Sequence, residues 1–325
     1  MNPYDGSIAS ALMQDILNGQ SIVPENYDSF RKYTDQANKV FKSAFEYSSI
    51  SNASFDIIAL GFYLDQMLVS CEYEGKTCSM KDFYLYHDYN YGNCYRFNGG
   101  SDLASQTYQY HNFTSYDLKK STKTGWRNGL RLELYTGNQL LQQQYTFKTG
   151  FRVIIHNKSI VTFSDKDGID VAAGSQTNVA VTRTFMFRLG APYSNCIDEL
   201  TDAVASQNDM LALMLEKKNA KKITQYQQDY CLKACYQTYI ISQCNCSDMS
   251  LQFLDVKSKT VANATGCVSS IDIDCLTEKD LEFYNGDQVD QCYSKCPIEC
   301  NQIVYDTQVS TADVSGSFGK IFIYK

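Results

Sequence analysis

An α+β fold is what the sequence predicts, on three observations. Residues 5–70 alternate polar and apolar at helical spacing, with one Pro and no Cys. From about 126 to 192 the texture changes to strands rich in Val, Ile, Thr and aromatics. Nine of the thirteen cysteines then fall between 231 and 300, in a helical stretch after which strands return at the very end.

In chain order, "YTDQANKVFKSAF" (33–45) and "FDIIALGFYLDQMLVS" (55–70) read as amphipathic helices, because their apolar residues recur on one helical face. "CEYEGKTC" (71–78) is a loop that one disulfide can close, and "NYGNCYRFNGG" (90–100) has a β-like core ended by Gly-Gly. "GLRLELYT" (129–136), "YTFKTGFRVIIHN" (145–157) and "NVAVTRTFMFRLG" (178–190) read as strands, and "SDKDGIDVAAGSQT" (164–177) as turns. Residues 198–222 read as one helix, with apolar positions 200, 204, 211 and 215 and lysines that suit its C-terminal dipole. "TEKDLEFYNG" (277–286) is an acidic helix candidate, and "NQIVYDTQVS" (301–310) and "KIFIYK" (320–325) are closing strands.

Composition excludes several function classes. At 325 residues the chain exceeds one compact core, so two or more packed units are expected. A net charge of -7 argues against nucleic-acid binding, which needs a basic stripe, and against attraction to an anionic membrane surface. No run approaches the roughly 18–20 apolar residues that span a bilayer, and "MNPYDGSIAS" lacks the basic start and apolar middle of a signal peptide. No zinc-protease, nucleophile-elbow, P-loop or dinucleotide motif occurs, so the chain is not expected to be an enzyme, and no cofactor is expected. His156 at a strand end is assigned a structural or surface role, and the acidic cluster over 278–290 a solvated helix face. Trp126 is expected to anchor packing before the first strong strand.

The cysteines set the compartment. Structural zinc favours paired C-x2-4-C knuckles, often with His; here the spacings are C-x3-C, C-x-C and C-x3-C-x3-C, and none of the three histidines lies near them. No metal site is therefore expected. Sequons at Asn52, Asn112, Asn157, Asn245 and Asn263 join the cysteine density in favouring an extracellular setting, where disulfides persist. The lack of a signal is then read as trimming, with Met1 added. Cys231 and Cys235 are four apart and share a helical face, as do Cys292 and Cys296. Two such segments running antiparallel would pair in nested order, Cys231 with Cys296 and Cys235 with Cys292. Cys244 and Cys246, read as an extended segment, face one side and can reach Cys267 and Cys275 across the loop. Spacing allows this ladder without selecting it.

Several segments in order resemble the epithelial sodium channel/degenerin/acid-sensing ion channel family. These are "CSMKDFYLYHDYNYGNCYRFNGG", "GFRVIIHNKSIVTFSDKDGIDVAAGSQTNVAVTRTFMFRLGAPYSNC", "YCLKACYQTYIISQCNC" and "CYSKCPIECNQIVYDTQVS", covering about 71–110 and 126–310. The resemblance implies a hand-like ectodomain with β-sheet palm, helical finger, disulfide-rich helical thumb and β-ball, without its pore helices. The divisions it suggests are 1–4 for the start of the palm, 5–90 for the finger, 91–195 for palm and β-ball strands, 196–300 for the thumb, and 301–325 for returning palm strands with a short knuckle region. It implies the bridges Cys71–Cys78, Cys196–Cys300, Cys231–Cys296, Cys235–Cys292, Cys244–Cys275 and Cys246–Cys267. Cys94 is left over; its family partner would stand just before "MNPY", so it is unpaired by truncation. Pro192 and Tyr193 match the loop that rests on the first transmembrane helix and couples thumb to gate.

By the same resemblance the chain is the stimulus-sensing domain of a sodium-selective cation channel gated by ligand, peptide or force, a homo- or hetero-trimer on the extracellular side of the plasma membrane. Its partners would be its own transmembrane helices and a peptide or small-molecule ligand, with no nucleic acid. Two departures matter. Acid-sensing members carry carboxylates where this chain has Thr277 and Leu281, although Glu278, Asp280 and Glu282 lie nearby, and a neutral-pH sensor needs paired acids with raised pKa. "VSTADVSGSFGKIFIYK" is short where the family has a knuckle helix. The alternative is a secreted disulfide-rich binding protein that never forms a channel.

Overall fold

The computed structural model describes residues 61–99, 119–137, 149–158, 160–254, 256, 264–314 and 318–324, together with Lys39, Lys42, Ser43, Tyr47 and Ile58. Helices and strands mix along the chain, as an α+β fold requires. Most of the expected helical unit over 5–70, with the sequons at Asn52, Asn112 and Asn263, lies outside the described residues.

Helix α1 (Leu64–Met67) leads directly into β1 (Leu68–Tyr73). The sequence reading of 55–70 as one helix, and of 5–90 as a helical unit, is corrected here. Leu68–Tyr73 is a strand because it finds two partners: β2 (Lys76–Thr77) across the loop closed by Cys71–Cys78, and β5 (Leu130–Tyr135). Its helical period is overridden by that pairing and by Cys71, which is buried among Leu64, Cys78 and Phe83. Strands β3 (Phe83–Asp88) and β4 (Gly92–Phe97) form a hairpin that turns at Tyr89–Tyr91.

Six strands make the main sheet, in the order β11-β8-β12-β5-β1-β2. Here β8 is Ser175–Phe187, β11 is Asn301–Asp313 and β12 is Phe318–Tyr324. Strands β8 and β11 pair antiparallel over their full lengths, from Ser175↔Asp313 to Phe187↔Asn301, whereas β12 runs parallel to β8 only from Gln176 to Ala180. Beneath the sheet, β6 (Gly150–Val153) pairs with β7 (Ile169–Ala172). The expectation of turns throughout 164–177 is corrected by β7. Val171, 1% exposed, packs there with Leu134 and Ile321, a burial that a short strand within a Gly- and Asp-rich stretch does not advertise.

The cysteine-rich helical unit is inserted between the paired strands β8 and β11. The helix expected over 198–222 is two, α2 (Asp202–Ala205) and α3 (Asp209–Asn219). The break has a local cause: the Asn208 side chain accepts the Leu211 N–H at 2.9 Å, starting a new helix. Helix α4 (Gln228–Cys244) ends where Asn245 turns left-handed at φ 54°. Next come β9 (Cys246–Ser247), parallel to β10 (Thr265–Gly266), then α5 (Ser270–Asn285), capped by Ser269, and α6 (Gln288–Lys295). Cys244 is thus the last residue of a helix, and the extended reading of Cys244–Cys246 is corrected: Asn245 reverses the chain between them.

The unit has its own core. Leu211, Met214, Tyr230, Ile240 and Ile273 are all at most 1% exposed, and Val161 and Phe163 from the segment before β7 join them. Trp126, expected to anchor packing, is 47% exposed; its ring lies 5.1 Å from both the Arg127 and Arg131 guanidinium carbons. A one-sided cation–π seat needs no burial.

Candidate coupling site at the base of the helical unit

Both ends of the helical unit return to one point because β8 and β11 are partners. After Phe187 the chain leaves the sheet, and it re-enters at Asn301, directly opposite. Cys196–Cys300 ties this neck, closing a sequence separation of 104. The neck is also a small ladder: Ile197 N–H donates to Ile298 O, Cys300 N–H to Ile197 O, and Arg188 N–H to Cys300 O, each at 2.8 Å. The Arg188 guanidinium donates to Glu299 O at 3.0 Å and to Gln302 Oε1 at 3.1 Å. Asn301 Nδ2 donates to Asp198 Oδ1 at 2.5 Å. A loop of about 100 residues closed by one disulfide gains roughly 4.7 kcal/mol in the chain-entropy model.

Above the neck, four bridges stiffen the helices. Cys231 joins Cys296 and Cys235 joins Cys292, nested along α4 and α6. Cys244 joins Cys275 on α5, and Cys246 joins Cys267 beside the β9–β10 pair. No His/Cys/Asp/Glu group able to hold a metal occurs among the described residues. Cys94 is the free cysteine; it is half-buried beside Tyr86, and burial pushes its thiol up to about 12.

Pro192 and Tyr193 form a tight turn at the neck, with a cis Ala191–Pro192 bond and Tyr193 N–H donating to Gly190 O at 3.0 Å. Tyr193 is 79% exposed, and Phe187 and Leu189 beside it are 77% and 70% exposed. So the structure places the turn, the neck disulfide and three bare apolar side chains together. Of the described sequon residues, Asn245 is exposed on the left-handed cap and Asn157 is half-buried.

The helical unit also leans on the segment before β7. Asp229, Lys233 and Tyr236 recur at i, i+4 and i+7 on α4 and so share a face. Lys233 pairs with Asp165 and Asp229 with Lys166, each at 2.5 Å. Tyr236 donates to Asp280 Oδ1 on α5 at 2.9 Å. Burial, then the charges of Asp248 and Asp280, raise the Tyr236 pKa and keep it a neutral donor. Burial also raises the Asp248 carboxyl, against two hydrogen bonds from Ser250. Sequence reasoning missed this contact face, although the i, i+4, i+7 spacing was its signal. At the positions of the departed acid pair, Thr277 bonds back to Ile273 O at 2.8 Å and Leu281 is 59% exposed. Glu278 and Glu282 pair with Lys279.

An open cleft of about 2640 Å³ separates these helices from the β3–β4 hairpin and residues 150–158; Tyr86, Arg96, His156, Tyr236 and Tyr284 line it. His156 Nδ1 lies 2.8 Å from Asn157 O. Burial, and then the charge of Arg96, lower its pKa to about 4.

The sequence model of a family described as amiloride-sensitive sodium channel matches residues 3–322. Epithelial sodium channel subunit gamma of Neoceratodus forsteri is 27% identical over 190 residues, 58% of this chain and 25% of that protein. The gamma subunit of Rattus norvegicus is 25% identical over 193 residues, and gamma-2 of Xenopus laevis 26% over 192; each alignment covers 59% of this chain. The matched regions are 26% and 25% of those two proteins, so the chain spans about a quarter of these relatives. Among the described residues no helix is long and apolar enough to cross a membrane.

Proposed function

The chain belongs to the amiloride-sensitive sodium channel family, a family of channels rather than enzymes, and from that premise we propose that it is the extracellular stimulus-receiving part of a sodium-conducting channel. In this reading the six-stranded sheet is the palm, the inserted disulfide-tied helices are the thumb, β6 and β7 belong to the β-ball, and the residues before β5 that lie outside that sheet belong to the finger. Three such subunits surround a pore at the plasma membrane, whose transmembrane helices lie outside this sequence. Movement of the thumb passes through the neck to Pro192–Tyr193, which rests on the pore helices. Thr277 and Leu281, standing where acid-sensing members carry carboxylates, favour a peptide or small-molecule stimulus over protons.

The observation that carries the reading is the neck. A unit held by four internal bridges pivots on one disulfide-tied ladder, beside a turn whose Tyr193 is 79% exposed. A stiff body on a narrow base transmits displacement, and an exposed aromatic gives it something to press.

The test is to express the natural full-length protein in oocytes and record sodium current under candidate peptides, acid and membrane stretch. A stimulus-dependent inward sodium current that Tyr193→Ala abolishes, with surface expression intact, is the expected result. Recovery of the protein in the medium, with no current under any stimulus, overturns the reading.

A further inference from the structure

We propose that Arg96 and His156 form a binding site for a carboxylate that carries a neighbouring N–H donor, the chemistry of a peptide C-terminus or an N-acyl amino acid. The hairpin register builds it. Tyr84 faces Arg96 and Tyr86 faces Cys94 across β3–β4, so the period of two puts these four on one side. The other side, with Phe83, Leu85, Tyr95 and Phe97, is spent on the apolar clusters around Cys71 and Ile58. Arg96 therefore lines the cleft, as does His156, and its charge acts on the His156 ring.

Among the described residues Arg96 is a cation without a counter-ion. It is half-buried, its Nε makes no hydrogen bond, and its guanidinium carbon sits 5.4 Å from the Tyr86 ring centroid. No carboxylate is paired with it among the described residues, whereas Arg131 pairs with Glu72 and Arg152 with Asp170. Burial lowers the pKa of Arg96, the sign of a charge held at a cost. Asp88, at the far end of the same face, is committed to the Asn90 and Tyr91 N–H groups and the Ser164 hydroxyl. Gly99 makes room: a Cβ there would stand 2.6 Å from Arg96 Cδ. A planar guanidinium fork offered to a cleft suits a planar carboxylate.

His156 supplies the second half of the recognition. Its ring is neutral near pH 7, and the Asn157 carbonyl at 2.8 Å can only accept, so Nδ1 carries the proton. Nε2 is left as a lone-pair acceptor beside the cation. An anion alone would answer Arg96 and leave Nε2 bare; a carboxylate with an adjacent N–H answers both.

The test uses the oxidised protein, with N-acetylleucine as probe, read by calorimetry and by NMR titration of His156. Saturable binding is expected, with N-acetylleucinamide at least tenfold weaker, Arg96→Gln at least tenfold weaker, and Arg96→Lys between wild type and Gln. The His156 imidazole resonances should shift on saturation as Nε2 gains its donor, a readout that needs no variant. N-acetyl-Gly-Gly-Leu binding more tightly than N-acetylleucine identifies a peptide as the source, and equal binding a small acid. Equal binding of the amide, an identical His156 response to sodium chloride at the same concentration, or His156 resonances unmoved at saturating acid overturns the proposal. The site does not depend on the channel reading: its failure leaves currents from the full-length protein untouched.

Discussion

Acidification should unfold this protein partly through one half-buried histidine. His156 titrates near 6.5 in an unfolded chain and near 4 in the fold, because burial and the Arg96 charge oppose the imidazolium. A depressed folded value means that the stability contribution is whole above 6.5 and is lost as pH falls from 6.5 through 4. By linkage the loss from this group between pH 8 and pH 5 is about 2 kcal/mol, and the full loss below pH 4 is roughly 3 kcal/mol. His156→Gln keeps a donor for the Asn157 carbonyl but cannot titrate. Urea unfolding of the oxidised protein at pH 8, 7, 6 and 5 should show the variant closing on wild type by about 2 kcal/mol across that range. Arg96→Gln should move the His156 midpoint upward, since Arg96 is the second cause of the shift. Parallel stability curves for wild type and His156→Gln would refute the reasoning, whatever other carboxylates contribute.

Other expectations follow from the same contacts. Asp248 carries a carboxyl raised by burial, so its protonated form favours the fold and its contribution is lost as pH rises through the folded value; Asp248→Asn should raise the urea midpoint at pH 7 and lose that advantage below about pH 4, the unfolded value. The double substitution Cys196→Ser with Cys300→Ser removes the neck bridge and should cost on the order of 2–5 kcal/mol by chemical denaturation, with an unchanged midpoint counting against the neck as a stabilising tie. Tyr193→Ala should stay within about 0.5 kcal/mol of wild type, because the ring is 79% exposed, so any loss of current in the full-length protein reports coupling and not unfolding. Asn245→Gln should remove one glycan step on a gel of secreted protein if this exposed cap is modified; an unshifted band would show that it is not.

What the sequence made legible was what depends on neighbours along the chain. Cys231 and Cys235 stand four apart on α4, while Cys292 on α6 and Cys296 at its cap stand four apart opposite them, so helical period alone aligns the two pairs. The long strand Ser175–Phe187 announced itself through alternation around Val179 and Val181. What stayed hidden was what depends on a distant partner. Leu68–Tyr73 has a helical pattern and becomes a strand only because β5 lies beside it, 57 residues or more away in sequence. Val171 is 1% exposed through packing on Leu134 and Ile321, which nothing in "DKDGIDVAAG" foretells. The clamps Lys233–Asp165 and Asp229–Lys166 join residues 63 to 68 apart, and Asp165 and Lys166 lie in a stretch whose composition reads as turns.

The same dependence on a distant partner builds the neck. Insertion of the helices between strands that are themselves paired forces their two ends to within a single ladder step, Phe187 opposite Asn301. Rotation of the helical unit then turns about Cys196–Cys300 and the Ile197–Glu299 bridge, restrained by Val161 and Phe163 packed into its core and by surface ion pairs worth roughly 0.2–1 kcal/mol each. A covalent pivot with weak lateral ion pairs would let a ligand of modest affinity break those pairs and displace the unit, together with Val161 and Phe163, without unfolding it. Lys233→Ala with Lys166→Ala should therefore leave the core intact and bias the unit toward the released position. In the full-length channel that change should shift the stimulus–response curve, while circular dichroism of the isolated domain stays unchanged; an unshifted curve would show that the lateral pairs do not restrain the lever.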